Sequence, residues 1–468
     1  MSAKSMISNA QSRICHVAVV LQLLSLLTGC GSGISTQPAP IAPSASSKSI
    51  WVGAWGASMT NARSSGENSG GVDRTFRFLV TSTIDGSQAR VKFSNIYGTS
   101  PVTIGAARLA RGQDGSSAID PTHDVGLTFG GNGSTILASG STVTSDPVAI
   151  SFGSGQVLAV TVYLKGSFGP VSRHASYFVT NFATADRSGD KTTDSSGSSF
   201  TKTLGDWLLV NEIDVYGQYQ GTLAMFGSST TDGYKSDYSS DRIYPVPNVP
   251  IATQHADRVS DWMARRLSSM GYRIGVINSG IPGDTIAPNS GNTVTDTPNA
   301  NNRFTSDVLS IPNLVGIVSY FGSIDLRSAD CASAPEMETA TQQLVSSAFQ
   351  AKVPIVLATL PPTALCTNPS KANYGPIPSA SDPYAGGPVP GPPNGAELQR
   401  AAFNQWLRTS AISLNGVAGI ADYDKTLSDP QHPSFMLPRY DSGDNFHMNG
   451  AGYQAEFLII PLNFLQGN

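Results

Sequence analysis

The sequence predicts a β-sandwich followed by an α/β domain with a mostly parallel sheet. Three observations carry that expectation. The chain has 468 residues, with 47 glycines, 30 prolines and only 13% charged residues, where roughly 25% is usual. Such a composition favours turns and strands over long charged helices. From about Trp51 to Tyr216, segments that alternate with period two are parted by glycine-rich breaks. From about Gly217, short apolar segments alternate with windows of helical period, as strands joined by crossover helices do.

The N-terminus reads as an address. Lys4 and Arg13 make a basic start, and Val17 to Leu27 is an apolar stretch broken only by Gln22 and Ser25. That length suits a signal peptide and is too short to span a bilayer. It ends in Leu27-Thr28-Gly29-Cys30, which resembles a bacterial lipobox. The resemblance implies cleavage after residue 29 and lipid on Cys30. Residues 30–48 are rich in Ser, Pro and Gly and read as a flexible tether. Residues 49–217 are then the expected β-sandwich domain and 218–468 the α/β domain. The expected place is the bacterial cell envelope, with the chain lipid-anchored through Cys30, or otherwise secreted.

Within the β-rich region, Arg90 to Ile96 alternates over most of its length. In Gln156 to Leu164, the residues Leu158, Val160, Val162 and Leu164 share one side. Breaks fall at Gly112–Ser117, Gly130–Ser134 and Gly153–Gly155. In the second region Thr222–Phe226, Tyr272–Asn278, Leu314–Phe321, Val353–Leu360 and Gly416–Tyr423 are strand candidates. Asp257–Met270 carries Val259, Trp262, Met263, Leu267 and Met270 on one helical face, with Gly271 as its stop. Met337–Phe349 and Ala396–Ser410 are further helix candidates. The Pro- and Gly-rich stretch from Asn368 to Gly395 is long for a loop and lies where a lid or a passive excursion would fit.

The formal net charge of −4 and the lack of a basic stripe exclude a nucleic-acid binder. No apolar run approaches the roughly 20 residues of a membrane helix. Cys331 and Cys366 remain after the signal and lipid cysteines are set aside. In an exported chain they are a candidate disulfide, with two buried thiols as the alternative. No Cys/His spacing points to a metal site.

Candidate chemistry falls at strand ends, where ligands of parallel sheets bind. Thr222–Phe226 runs into Gly227-Ser228-Ser229-Thr230-Thr231-Asp232-Gly233. A serine in such a turn is lifted clear of the sheet, but a free hydroxyl is a weak nucleophile and needs a base. His447, three residues after Asp444, offers one, with the carboxylate placed to orient the imidazole. His123 and His174 fall in the β-rich region; His255 and His432 look like ordinary loop histidines.

Together these segments resemble the SGNH hydrolases, or GDSL esterase/lipase family. Gly227–Gly233 matches its first block, Gly-Asp-Ser-x-x-Asp-Gly. Asn278-Ser279-Gly280-Ile281-Pro282-Gly283-Asp284 matches the second, Gly322-Ser323-Ile324-Asp325 the third, and Asp444–His447 the last, Asp-x-x-His. Trp51–Trp55, Arg90–Asn95 and Ser145–Val148 resemble the β-rich domain of a secreted bacterial subgroup. The resemblance implies a flavodoxin-like three-layer α/β/α domain. It also implies Ser229 as nucleophile, His447 as base, Asp444 as its orienting carboxylate, and the backbone N–H groups of Ser229 and Gly283 in an oxyanion hole. No metal or organic cofactor is implied.

Two positions depart from the pattern. Ser228 replaces the first-block Asp, and Ile324 replaces the third-block Asn, whose amide would be a further oxyanion donor. Losing one such donor costs about 2.7–4 kcal/mol of transition-state stabilisation. Asp325 is expected to hold its loop by hydrogen bonds. The expectation is an exported esterase acting on short-chain acyl esters, lipids or acetylated polysaccharide. The competing reading is a degenerate surface protein that binds glycan or lipid without turnover.

Overall fold

Among the described residues five parallel strands form the sheet that positions the candidate site: β1 (Gly221–Gly227), β2 (Ile274–Gly280), β3 (Leu314–Tyr320), β4 (Ile355–Ala358) and β5 (Val417–Ala421). They lie in the order β2-β1-β3-β4-β5, every neighbour parallel. This is the flavodoxin-like order, whose switch point falls between β1 and β3. All residues of β1 and β2 are buried, which is why they read as apolar runs without alternation. The computed structural model describes residues 48–63, 65–66, 69–174, 180–236, 258–288, 298–327, 331–362, 395–444 and 446–467. The expected signal peptide, Cys30, His255, Cys366 and residues 368–394 lie outside the described residues, as does the tether up to residue 47.

Among the described residues seven α-helices accompany the sheet: α1 (Ser229–Asp232), α2 (Val259–Ser269), α3 (Ala300–Phe304, continued by a π turn Thr305–Leu309), α4 (Ala334–Gln350), α5 (Gly395–Thr409), α6 (Tyr423–Leu427) and α7 (Gly450–Leu458). In α2, Val259, Met263 and Leu267 are buried, while Trp262 and Met270 pack against the core. Trp262 stacks on Phe457 of α7 at 5.5 Å. Likewise α4 pairs with α5, where the N–H of Ala334 donates to Gln399 Oε1 at 2.8 Å. A right-handed crossover from β1 to β2 runs opposite to those from β3 to β5. The two connections therefore fall on opposite faces of the sheet. Among the described residues no helix is long and apolar enough to cross a membrane.

Among the described residues the β-rich region holds a two-stranded antiparallel sheet, Arg173–His174 with Trp207–Leu208, and two larger antiparallel sheets. One pairs Ile50–Gly56, Val210–Gly217, Gly86–Ser94 and Thr142–Thr144 in that order, with Val148–Phe152 also on Gly86–Ser94. The other is built around Gly71–Thr81, Val157–Phe168 and Val102–Gln113. Both supply one buried cluster, which includes Val52, Trp55, Phe76, Phe78, Val91, Phe93, Val160 and Val162. Alternation holds in Gly86–Ser94: Val91 and Phe93 are buried, while Arg90 and Lys92 turn outward to Asp214 and Glu212 at 2.7 and 3.4 Å. It holds less well in Val157–Phe168. There Ala159 and Thr161 are buried too, and a second small cluster with Phe182 and Phe200 covers Ala159.

The β-rich region lies directly against the parallel sheet. Ala57 bridges Asn278, the N–H of Gly53 donates to Thr222 Oγ1 at 3.0 Å, and Thr83 Oγ1 donates to the Val276 carbonyl at 3.0 Å. The backbones approach so closely that a Cβ on Gly275 would fall 1.9 Å from the Gly53 carbonyl oxygen. Only glycine fits there. The seam thus joins the β-rich sheets to the edge strand that carries the second sequence block.

Candidate active site

The turn that carries Ser229 follows directly from the end of β1. Ser228, the substituted first-block position, contributes its backbone: its carbonyl accepts from the N–H of Asp232 at 2.9 Å. Its side chain makes no cap bond to the helix. Ser229 opens the single turn of α1, so its N–H belongs to the group that has no intrahelical acceptor. The Ser229 carbonyl accepts from Gly233 and Tyr234, both at 2.9 Å. Asn278 Nδ2 donates to the Thr231 carbonyl at 2.7 Å, pinning the turn to β2.

The last block folds as a turn around a carboxylate, not as a helical turn. Asp444 Oδ1 accepts from the N–H groups of Phe446 and His447 at 3.0 and 2.8 Å, and from Ser442 Oγ at 3.2 Å. Helix α7 begins only at Gly450, capped by Asn449, whose Oδ1 accepts from the N–H of Gly452 at 3.0 Å. Short Asx-type bonding of this kind competes with helix and explains the difference.

These two turns meet. Ser229 Oγ lies 2.9 Å from His447 Nε2, and His447 Nδ1 lies 2.7 Å from Asp444 Oδ2. A carboxylate can only accept, so Nδ1 carries the ring proton and Nε2 is left to accept from the serine hydroxyl. Tyr234 and Phe446 face the imidazole edge-on at 4.6 and 4.3 Å. Burial lowers the His447 pKa below its ordinary 6.5, against the opposing hydrogen bond and charge of Asp444; Arg327 and Lys235 lower it further. Burial would raise the Asp444 carboxyl. The His447 hydrogen bond and charge, the His447 backbone N–H and Lys235 outweigh that and hold it well below the usual carboxylate range. At neutral pH the arrangement is a neutral imidazole between a hydroxyl and a carboxylate, which is the resting state of a base-activated serine.

This constellation sits at the carboxyl end of β1, beside the switch point, and residues 225–455 match the family model of GDSL-like lipases and acylhydrolases. That region belongs to the GDSL-like lipase/acylhydrolase family. No curated protein matches the chain. Several solved structures are similar to it. One is a carbohydrate acetylesterase family member from Sinorhizobium meliloti, with 19% identity over 51% of this chain and 94% of that one, and a TM-score of 0.34. Another is the aryl esterase of M. smegmatis, with 15% identity, 51% and 94% coverage, and a TM-score of 0.34. A third is an active-site mutant of a family two carbohydrate esterase from Clostridium thermocellum, with 12% identity, 88% and 96% coverage, and a TM-score of 0.33.

In the GDSL-like domain, the second and third blocks flank the serine turn. The N–H of Ile281 donates to the Gly227 carbonyl at 3.1 Å, and that of Asp284 to the Ile281 carbonyl at 3.1 Å, so Gly283 stands in a tight turn beside β1. The buried Arg303 guanidinium donates to the carbonyls of Gly227 and Ser279 at 3.0 and 2.9 Å and pairs with Asp284 and Asp307 at 2.7 and 3.1 Å. Burial pushes the Asp284 carboxyl up to about 6 despite that pairing. Asp325 is buried and accepts from the N–H groups of Ile286 and Ala287 at 3.0 and 2.8 Å, so it ties the third block to the second. The backbone turns at Gly322, with φ of +119°. Even so, the Ser323 hydroxyl is engaged with the Tyr320 phenol at 3.0 Å. Ile324, half-buried, brings no donor to the position of the family Asn.

Two residues near this site carry no sequence motif. His174 of the β-rich region reaches Asp232 at the end of α1, with Nε2 3.0 Å from Oδ1. Arg327, two residues past the third block, lays its guanidinium carbon 4.1 Å over the Phe446 ring. Their contacts cross from one segment to another, so no local spacing announces them. Cys331 is disulfide-bonded.

Proposed function

We propose that the protein is an exported serine esterase that hydrolyses carboxylic esters through Ser229, His447 and Asp444. The observation that carries this reading is the continuous hydrogen-bonded chain from Ser229 Oγ through His447 to Asp444. Ser229 Oγ attacks the ester carbonyl while His447 Nε2 takes its proton. Asp444 holds the resulting imidazolium. The N–H groups of Ser229 and Gly283 receive the oxyanion. His447 then returns the proton to the departing alcohol, leaving an acyl-serine. Water, deprotonated by the same Nε2, attacks that acyl group, and the acid leaves with Ser229 restored. The substrate class is an ester of a short acyl group, a lipid or an acetylated polysaccharide.

Turnover of p-nitrophenyl acetate by the purified protein tests this, with Ile324→Asn beside it. Wild type is expected to turn over, and Ile324→Asn to raise kcat by up to roughly 10²–10³, the worth of one oxyanion donor. If neither variant hydrolyses this ester, the binding-protein reading takes precedence. The acid limb of the pH–rate profile is a second expectation. The base works only when deprotonated, so kcat/KM falls as pH drops through the His447 pKa, with a midpoint below 6.5. The Arg327 charge opposes protonation of His447, so Arg327→Ala moves that midpoint upward. A midpoint unchanged or lower in Arg327→Ala contradicts the assignment of His447.

The remaining organisation belongs to the same proposal. Residues 1–29 are a signal peptide, 30–48 a tether, 49–217 a β-sandwich and 218–468 the hydrolase domain, with Cys331 bonded to Cys366. The cluster shared by the two larger antiparallel sheets supports the sandwich. Lipid on Cys30 holds the protein at the cell envelope. Cys30→Ser is expected to move the protein from the membrane fraction to the soluble fraction; continued membrane retention argues against lipidation.

A further inference from the structure

We propose that His174 is a positioning residue for the Ser229 nucleophile, acting through a proton it shares with Asp232 at the far end of α1. This rests on the reading of Ser229 as the nucleophile. It makes the β-rich region part of the catalytic architecture.

The argument starts from donors and acceptors. His174 and Asp232 are each 1% exposed. His174 Nδ1 lies 2.6 Å from the Ser58 carbonyl oxygen, and Nε2 lies 3.0 Å from Asp232 Oδ1. A carbonyl accepts only, so Nδ1 donates. A carboxylate also accepts only, so Nε2 must donate as well, unless the proton sits on Asp232. Either way the pair holds one proton more than a neutral imidazole beside a carboxylate. Without it the second hydrogen bond is lost.

The other charges around the pair are committed elsewhere. Arg258 acts on Asp232 through its charge, while its guanidinium bonds Asp261 at 2.9 and 3.2 Å. Arg173 bonds Asp206 at 2.9 Å. Arg303 reaches Ser58 Oγ at 3.3 Å and pairs with Asp284 and Asp307. Tyr453 of α7 is within electrostatic reach of Asp232, and the Trp207 ring lies 5.6 Å from His174. Asp232 Oδ2 has no hydrogen-bond partner among the described residues. His174 therefore supplies the hydrogen bond that holds this carboxylate.

The link to chemistry is mechanical. Helix α1 is four residues long, with Ser229 first and Asp232 last. Its backbone closes on itself through Asp232 N–H to Ser228 and Gly233 N–H to Ser229. A turn that short moves as a unit, so releasing Asp232 shifts Ser229 relative to His447. A misplacement of about 1 Å can cost roughly 10²-fold in rate.

The test compares wild type, His174→Ala, Asp232→Ala and Asp232→Asn at neutral pH. It reads kcat and KM for p-nitrophenyl acetate, the rate of Ser229 labelling by a fluorophosphonate, and thermal melting. His174→Ala is expected to lower kcat and the labelling rate by about 10- to 100-fold while KM stays within about twofold. In Asp232→Asn the introduced carboxamide donates to a neutral Nε2, and Nδ1 still donates to Ser58. The contact survives without the shared proton, so this variant keeps most of the rate. Wild-type kcat and labelling in a folded His174→Ala overturn the proposal. If His174→Ala does not fold, Asp232→Ala decides: it removes the same contact from the other side, and wild-type kcat and labelling in it overturn the proposal. A wild type that neither labels nor turns over refutes the esterase reading itself, and this inference with it.

Discussion

Ser229→Ala is expected to lower kcat for p-nitrophenyl acetate by roughly 10⁴–10⁶. At about 1.36 kcal/mol per tenfold, that is about 5.5–8 kcal/mol of lost transition-state stabilisation. The size follows from what the hydroxyl does. In the proposed reaction its oxygen bonds to the acyl carbon, and in the site it hydrogen-bonds His447 at 2.9 Å. Folding is hardly touched, because α1 is held by backbone bonds and by Asn278 rather than by the Ser229 side chain. One lost hydrogen bond costs only about 1 kcal/mol of stability. A melting temperature near wild type together with lost turnover is therefore the expected pair of results. A loss of less than tenfold assigns the nucleophile to another group.

The part of this site that was legible in the sequence is the part built from local turns. Gly227–Gly233 and Asp444–His447 each carry their geometry within a few residues, so motif spacing located them. Spacing alone does not decide function, however. Asp120 and His123 stand three apart as well and make the same 2.7 Å contact, but on an accessible stretch with Thr122 as the neighbouring partner. What separates His447 from His123 is a serine hydroxyl delivered by a strand end 218 positions away. His174 escaped for the same reason: its partner Asp232 lies 58 positions along the chain, in the other region.

The fold shows a similar division. The runs in β1 and β3 and the apolar face of α2 are local signals and read correctly. Helix α3 and its π turn buried Arg303 along with Phe304 and Val308. A buried arginine breaks the apolar pattern, and its stability depends on Asp284 and on the carbonyls at the ends of β1 and β2. Those partners come together only in the folded chain. In α7 the run Gly450-Ala451-Gly452 weakens the helical signal, and the cap supplied by Asn449 and packing against α2 offset it.

The second large effect is expected from Asp444→Asn, which should lower kcat by about 10⁴ while leaving the turn in place. The carboxylate has two separate duties. Oδ1 accepts from the backbone of Phe446 and His447, which a carboxamide oxygen can continue to do. Oδ2 accepts from His447 Nδ1, which a carboxamide nitrogen cannot do, because it is itself a donor. The favoured response of the ring is to move its proton to Nε2. That nitrogen then faces Ser229 with a hydrogen instead of a lone pair and no longer accepts the serine proton. The substitution also removes the charge that raises the His447 pKa, so any residual activity should show an acid limb at lower pH than wild type. These two readouts separate a tautomer defect from a collapsed loop. A collapsed loop would lower the melting temperature and expose His447, relieving the burial that depresses its pKa and moving the limb upward. A small loss of kcat with an unchanged acid limb would remove Asp444 from the proposed relay and leave His447 to be oriented by its aromatic neighbours, Tyr234 and Phe446.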